Sequence, residues 1–382
     1  MSEEYSLHTC QDIREIPAED WEACLADDHP FTRHAFLSAL EESGSVSAET
    51  GWMPYHLLLK NGDRIVAAAP MYVKGHSQGE YVFDHSWAHA YERAGGRYYP
   101  KLQLSIPFSP VTGPRFLVSA ADNSFRHRLI LAEGAKEVAS KLNLSSVHMT
   151  FTQEEDLIAA EQSDYLLRIG EQFHWVNEDY ESFDDFLAAL SSRKRKNINK
   201  ERRTVHEFGF EFEELTGDDI TEAHWDAFFQ FYIDTGHRKW GTPYLNRAFF
   251  SLLGQKMGDQ VLLFMVKREG RYIAGALNLF GSECLYGRYW GCTEDHKFLH
   301  FETCYYRAID FAIKRGIKRV EAGAQGPHKL ARGYLPVKTR SAHWLRDEGF
   351  HRAVADFLEA ESREMDAEIN YLNQHSPFKK GD

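Results

Sequence analysis

Cysteine is scarce in this chain, and its few copies follow no metal-binding spacing. The cysteines are Cys10, Cys24, Cys284, Cys292 and Cys304. Because five is an odd number and the spacing is wide, reduced thiols in a cytoplasmic protein are the simplest interpretation. Asp84, His85 and His89 lie close together, but in a segment that we predict as strand and loop. We therefore expect no metal site.

Long apolar runs are also missing. No stretch approaches the ~20 consecutive apolar residues that cross a bilayer. The first residues are acidic and polar, with no apolar run of the kind found in signal peptides. The sequence thus predicts no membrane span and a cytoplasmic location.

Positive charge is in short supply. The 382 residues include 44 Lys and Arg against 57 Asp and Glu, a net charge of −13. Such a balance argues against a protein that coats nucleic acid, and we expect no DNA partner. A polyanion must instead be held by a local basic island. Residues 193–203 form such an island, with seven Lys and Arg and one Glu.

A supersecondary unit occurs twice. Residues 56–70 and 263–277 both read as hairpins, with Gly62 and Gly270 at equivalent turns. Each copy is predicted to continue into a third strand, a helix and a fourth strand. These segments are 81–87, 123–142 and 147–151 in the first copy, and 284–290, 302–315 and 317–320 in the second. The pattern predicts an α/β (α+β) protein with mixed sheets flanked by helices.

The remaining segments are predicted mainly as helices. They are residues 17–43, 183–208 (one or two helices), 220–236 and 350–372. Residues 93–115 contain four prolines, which exclude a regular helix and disfavour a central strand. For the C-terminal helix, packing on the body of the protein is favoured over a dimerisation arm.

Three motifs carry a family resemblance. They are Arg-Lys-Arg-Lys-Asn-Ile at 193–198, Phe-Tyr-Ile-Asp-Thr-Gly-His-Arg-Lys-Trp at 231–240, and Glu-Ala-Gly-Ala-Gln-Gly-Pro-His-Lys at 321–329. With the duplicated unit, they resemble the FemAB-like N-acyltransferases, relatives of the Fem peptidoglycan aminoacyltransferases. The third motif is also similar to leucyl/phenylalanyl-tRNA–protein transferases, with one residue more between acid and glutamine. The resemblance implies tandem GNAT-like domains at 1–170 and 171–382, with the C-terminal helix packing back on the first.

The third motif supplies the candidate catalytic residues. Amine acylation needs a group that binds or deprotonates the amine and a donor for the developing oxyanion. Glu321, at the end of a predicted strand, is our candidate for the amine, with an ion pair to Arg319 or Lys318 as the alternative. Gln325 is the candidate oxyanion donor, and His328 completes the catalytic set. An ordinary strand-to-helix turn is the alternative for this segment.

The candidate binding residues fall into three groups. Phosphate binding is predicted for the basic island, against a solvated helix face as the alternative. A small anion site is predicted beside the third motif, and an aromatic acceptor groove is weighed against domain packing. In these groups the residues are Arg193, Arg195, Asn197 and Arg202; Lys329 and Arg332; and Trp240, Tyr244, Tyr99 and Lys101. Arg238, in the second motif, is a further candidate for substrate or phosphate binding.

The acyl donor is the last prediction. The resemblance implies no permanently bound cofactor and a donor that is aminoacyl-tRNA or acyl-CoA. Residues 291–300 lack the glycine-rich pyrophosphate loop of acetyl-CoA enzymes, and residues 93–96 are only partly similar to it. We therefore favour aminoacyl-tRNA, with an amino group of a cell-wall precursor, peptide or small amine as acceptor. The alternative is a non-catalytic module that binds RNA or a nucleotide-sugar or peptide ligand.

Overall fold

The computed structural model describes residues 4–119, 124–239, 243–323 and 326–379. The strands are β1 Tyr5–Cys10, β2 Trp52–Pro54, β3 His56–Asn61, β4 Arg64–Ala69, β5 Met71–Lys74, β6 Lys101–Leu104, β7 Ser146–Met149, β8 Leu166–Val176, β9 Glu211–Leu215, β10 Val261–Arg268, β11 Arg271–Phe280, β12 Cys284–Cys292, β13 Arg319–Glu321 and β14 Leu335–Leu345.

The helices are α1 Ala18–Glu22, α2 His34–Glu42, α3 His85–Arg93, α4 Ser124–Lys141, α5 Glu154–Gln162, α6 Phe183–Ala189, α7 Ser192–Glu207, α8 Glu222–Lys239, α9 Arg247–Met257, α10 Leu299–Phe301, α11 Arg307–Arg315 and α12 Glu348–Gln374. A π-helical turn, Glu302–Tyr306, separates α10 from α11. A 3-10 turn, Pro327–Arg332, lies between β13 and β14.

The chain divides into two compact units. The first contains residues Met1–Gly170 and Lys338–Ala367, and the second contains Glu171–Val337 and Glu368–Asp382. The chain passes between the units three times, within β8, within β14 and, after Ala367, within α12. Each unit therefore consists of two separate stretches of the chain.

The first unit contains two sheets. One is antiparallel in the order β1-β3-β4, and the other runs β2-β5-β6-β7 with the later part of β14 paired antiparallel to β7. β6 and β7 are parallel and are joined through α4. The core between the sheets and α4 is mainly aliphatic, and includes Leu57, Leu102, Leu131 and Val147.

The second unit is built on one sheet in the order β8-β13-β12-β11-β10-β9. β12 and β13 are parallel, connected by α10, the π-helical turn and α11, and the other pairs are antiparallel. α8 lies so close to β12 that a Cβ on Gly291 would be 2.2 Å from the Phe231 carbonyl oxygen. Only glycine fits there.

Most of the predicted elements are present, including both hairpins and the third strand of the second copy. The predicted third strand at 81–87 is wrong, because α3 begins at His85. Trp87 and Tyr91, four residues apart, pack on one side of this helix against Phe350 and neighbouring core residues. By its pairing, the third strand of the first copy is β6, which is parallel to β7 as β12 is parallel to β13. The predicted helix at 17–43 is two helices, α1 and α2, separated by a 3-10 turn at Pro30.

The proline-rich segment also differs from prediction. It contains β6, a fully buried strand between β5 and β7. Pro100 and Pro107 flank this strand and do not lie inside it, so the ladder keeps its hydrogen bonds. Within the described parts of the chain, no helix is long and apolar enough to cross a membrane.

Asp156, at the start of α5, anchors the end of the proline-rich segment. One carboxylate oxygen accepts hydrogen bonds from the backbone N–H groups of Arg115 (2.7 Å) and Phe116 (3.2 Å) and from the Thr152 hydroxyl (2.8 Å). The other accepts from Arg128 Nε at 3.0 Å. The side chain is fully buried, so one carboxylate satisfies four donors inside the protein.

We expect Asp156→Ala to lower the free energy of unfolding by about 3–5 kcal/mol, because it removes the carboxylate that a buried cation and two buried N–H groups share. Urea unfolding checks this, with the adjacent and exposed Glu155→Ala as the matched control. The control should change stability by less than about 0.5 kcal/mol. Equal effects of the two substitutions would contradict this account of Asp156.

Candidate active site

The candidate site lies where two parallel strands of the second unit stop pairing. β12 and β13 are aligned for only three residue pairs, the last of which is Tyr286 with Glu321. β12 continues to Cys292, whereas β13 ends at Glu321. The carboxyl end of a parallel strand is where α/β sheets commonly place site residues.

Glu321 is buried at this strand end, with 2% of its surface exposed. Its Oε1 accepts a hydrogen bond from Arg319 Nε at 3.1 Å, and its Oε2 lies 4.0 Å from His174 Nε2 on β8. Burial lowers the pKa of His174, against the opposing effect of the Glu321 carboxylate, so the imidazole is neutral at pH 7. The predicted alternative, an ion pair with Arg319, is therefore present; a role with the amine stays a prediction.

His328 is the exposed titratable group beside this strand end. It lies on the 3-10 turn, and its Nε2 is 2.9 Å from the Tyr305 hydroxyl. The imidazole is flanked by the ring of Phe301, with centroids 5.7 Å apart. A Cβ on Gly326, whose φ is +130°, would lie 2.6 Å from His328 Cε1. The imidazole is therefore contacted by Tyr305, Phe301 and Gly326 although His328 is exposed.

Lys329 ties the turn back to the end of β13. Its Nζ donates a hydrogen bond to the Gly323 carbonyl oxygen at 2.9 Å. The side chain is 1% exposed, and burial lowers the pKa of its ammonium to about 8. The described contact is thus internal; the predicted anion contact of Lys329 stays a prediction.

Arg332 closes the other end of the turn. Its Nη1 donates to the His328 carbonyl oxygen at 2.7 Å, and its Nη2 pairs with Glu201 of α7 at 2.9 Å. The guanidinium also stacks on Phe301, 3.4 Å from the ring centroid. An anion bound by Arg332 would have to compete with Glu201.

The exposed cations of the basic island, Arg193, Lys196, Lys200 and Arg203, share one face of α7. Arg193 and Asn197 are exposed and Arg195 is partly exposed, whereas Ile198 and Val205 are buried. The buried pair shares one side of the helix and holds it on the unit. An exposed cationic face is therefore present, and phosphate binding by it stays a prediction.

Arg202 differs from the rest of the island. Its guanidinium pairs with Glu302 (3.1 Å) and Asp310 (2.7 Å) and stacks on Phe183. These contacts account for Arg202 as an internal anchor of α7. The predicted phosphate contact of Arg202 is untested, and a phosphate would have to displace two carboxylates.

Several predicted site residues are not brought to this strand end by any described contact. Gln325, Trp240 and the side chain of Arg238 lie outside the described residues. The backbone N–H of Tyr244 donates to the Tyr232 hydroxyl at 3.2 Å, next to α8.

Lys101 and Tyr99 belong to the first unit. Lys101 is fully buried, and its Nζ contacts Glu80 (2.7 Å), Asp84 (2.5 Å) and Ser77 (2.8 Å). The Tyr99 hydroxyl is 2.7 Å from the Ser77 hydroxyl. These contacts make Lys101 part of a buried ion network, and acceptor binding by the pair stays a prediction.

Tyr305 is the site residue that sequence reasoning missed. Its helical spacing assigns it to the buried stripe of the crossover helix, and it is indeed 4% exposed. The π-helical turn that carries it has no recognisable sequence signal. Among the described residues, no group of three or more His, Cys, Asp or Glu could hold a metal ion.

A family described as peptidoglycan biosynthesis/recognition, FemAB-like, matches residues 12–380. This match confirms the resemblance seen in the motifs. No curated protein matches the sequence. The structure is similar to that of FemX, with 11% identity, a TM-score of 0.57 and coverage of 91% of this chain and 100% of FemX.

L-PGS from Bacillus licheniformis is also similar, with 10% identity, a TM-score of 0.52 and coverage of 87% of this chain and 98% of that one. At these identities the two similarities concern the fold. They confirm the predicted mixed α/β class.

The lowered pKa of Lys329 predicts a pH dependence of stability. Its ordinary pKa is 10.5, so between about pH 8 and 10.5 the unfolded chain binds more protons at this position than the folded chain. Stability therefore rises with pH in this window. Relative to Lys329→Met, we expect the wild type to gain about 1–3 kcal/mol between pH 7.5 and 10.

Urea unfolding of both proteins at the two pH values measures this gain. Lys318→Met, at an exposed lysine just before β13, is the control and should show no such gain. A constant difference between wild type and Lys329→Met at both pH values would contradict a buried Lys329 ammonium.

Proposed function

Because the chain belongs to the FemAB-like family, we propose that it is an N-acyltransferase that moves an aminoacyl or acyl group onto an amino group. The acceptor class that the family description favours is a peptidoglycan precursor or a related peptide; a small amine is the alternative acceptor. The observation that carries this proposal is the arrangement at the end of β13. There a buried carboxylate, Glu321, is followed within seven residues by an exposed and fixed imidazole, His328.

The two groups suit the two halves of amide formation. The nitrogen attacks the carbonyl carbon of an ester or thioester, the C–N bond forms, and negative charge develops on the carbonyl oxygen. A neutral imidazole N–H can donate a hydrogen bond to that oxygen, and one such donor typically contributes about 3 kcal/mol. When the C–O or C–S bond breaks, the leaving oxygen or sulfur takes a proton equivalent to the one that the amine gives up.

Glu321 is proposed to hold the acceptor nitrogen and to accept its proton. A carboxylate offers about four lone-pair sites, so it can accept hydrogen bonds from Arg319 and from an acceptor amine together. Its deep burial strengthens any interaction that it makes with an amine, since the local dielectric is low.

Aminoacyl-tRNA is the proposed donor. The exposed face of α7 supplies Arg193, Lys196, Lys200 and Arg203 on a chain of net charge −13, a focused patch for phosphates. α7 is linked to the 3-10 turn through Glu201 and Arg332. A polyanion on this helix would thus lie on an element that contacts the proposed site.

A non-catalytic recognition module is the second candidate. The ion pair between Glu321 and Arg319 favours it, because a paired and buried carboxylate is also what a structural role requires. This candidate keeps ligand binding by α7 and gives Glu321 no part in chemistry.

The first test is acyl transfer by the purified protein. We expect amide product from labelled aminoacyl-tRNA with a nucleotide-sugar peptide precursor, and a fall in kcat of at least about 100-fold for Glu321→Gln, since proton acceptance contributes about that factor. Glu283→Gln, a change of the same kind away from the strand end, is the control. Product from acetyl-CoA alone would refute the tRNA preference, and full activity of Glu321→Gln would exclude its role.

The second test concerns α7. The double variant Arg193→Glu, Lys196→Glu should weaken tRNA binding and reduce the slope of log K against log salt by about one for each phosphate that the helix no longer neutralises. Fluorescence anisotropy across a salt series measures both quantities. The matched control is Arg352→Glu, Arg363→Glu on exposed positions of α12. Equal affinity of the two double variants would exclude α7 as the phosphate-binding face.

A further inference from the structure

Tyr305 has a contact that a core aromatic residue does not need. Its hydroxyl lies 2.9 Å from Nε2 of His328, which is exposed, whereas Tyr305 itself is buried at 4% exposure. The hydroxyl therefore joins the interior of the second unit to the exposed imidazole of the proposed site.

The direction of this hydrogen bond follows from burial. A buried O–H without an acceptor costs about 1–3 kcal/mol. Among the described residues, His328 Nε2 is the acceptor within reach of the Tyr305 hydroxyl. Burial raises the pKa of the Tyr305 phenol well above its ordinary value, so the phenol keeps its proton across the physiological range. The phenol is thus the donor and Nε2 the acceptor.

From this geometry we infer that Tyr305 is a positioning residue that holds His328 as the neutral tautomer with its proton on Nδ1. A neutral imidazole that accepts at Nε2 carries its N–H at Nδ1. For its purpose this inference rests on the proposed function, because the tautomer decides which imidazole nitrogen carries the hydrogen during acyl transfer. The tautomer itself does not depend on that function.

The surrounding structure fixes the imidazole in the same orientation. Arg332 binds the His328 carbonyl oxygen, and Gly326 lies against the imidazole. The rings of Tyr305 and His328 have centroids 5.7 Å apart, at an interplanar angle of 55°. These contacts hold the backbone of His328 and lie on two sides of its ring.

The π-helical turn explains how Tyr305 reaches this position. In Glu302–Tyr306 two consecutive residues, Tyr305 and Tyr306, are both buried. Tyr306 bonds to Glu201 of α7, while Tyr305 faces His328. Glu302 is fully buried and pairs with Arg202 of α7, which holds the turn. Such π-turns are rare and occur frequently at functional sites.

The test measures the tautomer directly. Protein labelled with ¹⁵N at histidine is studied by long-range ¹H–¹⁵N NMR above pH 7.5, and the His328 signals are assigned by their absence in His328→Gln. We expect protonated Nδ1 in the wild type. In Tyr305→Phe we expect a shift toward the Nε2–H form that free imidazole side chains prefer in water, and a roughly 10- to 100-fold fall in kcat with little change in KM.

Tyr334→Phe is the matched control. It also removes a buried hydroxyl, one that donates to the Tyr305 carbonyl oxygen at 3.3 Å, yet it leaves the phenol–imidazole contact in place. Its His328 tautomer should equal that of the wild type. Protonated Nε2 in the wild type, or an unchanged tautomer in Tyr305→Phe, would overturn the inference. If Tyr305→Phe shifts the tautomer as expected but the wild type shows no acyl transfer, the proposed function is overturned and the positioning role is kept.

Discussion

Two adjacent residues of α7 hold the candidate site together. Glu201 pairs with Arg332 of the 3-10 turn, and Arg202 pairs with Glu302 of the π-helical turn. Short 3-10 and π segments have poorer hydrogen-bond geometry than an α-helix and depend on their surroundings. α7 is a regular helix anchored by Ile198 and Val205, so it supplies the rigidity that the two turns lack. The orientation of His328 and Tyr305 depends on this connection.

The same helix carries two electrostatic tasks on different faces. Toward the interior, Arg202 pairs with Glu302 and Asp310, and Glu201 pairs with Arg332, at 2.7–3.1 Å. Toward solvent, its cations have few acidic neighbours in the helix, which costs helix stability through repulsion between like charges. This cost is one argument for the proposed phosphate-binding role of the face.

Much of the second unit could be predicted from its sequence. The hairpin of β10 and β11, the strand β12 and the helix ending at Gly316 all follow from periodicity and turn residues. In the first unit the aromatic segment near Trp87 was wrongly predicted as a strand, because alternation over a few residues does not distinguish a strand from a helix. The strand β6 was hidden by flanking prolines. The charges of α7 were visible, but which of them face inward depends on Glu302 and Asp310, about 100 residues away in sequence.

The two units share a supersecondary unit but differ at one strand end. In the first unit this end is occupied by a buried side chain, and in the second it is the candidate functional site. In the first unit, the carbonyl oxygen of Thr150, just after β7, accepts a hydrogen bond from Arg115 Nε at 2.8 Å. That guanidinium is fully buried and is further bound by carbonyl oxygens of its own loop. In the second unit, the chain after β13 leads to the exposed His328. The donors of the buried guanidinium are satisfied by backbone carbonyl oxygens. The imidazole is instead exposed at the surface, with a hydrogen bond to a buried phenol. The two strand ends therefore differ in what their polar side chains bind. In the first unit the side chain is bonded to the backbone, and in the second it is exposed.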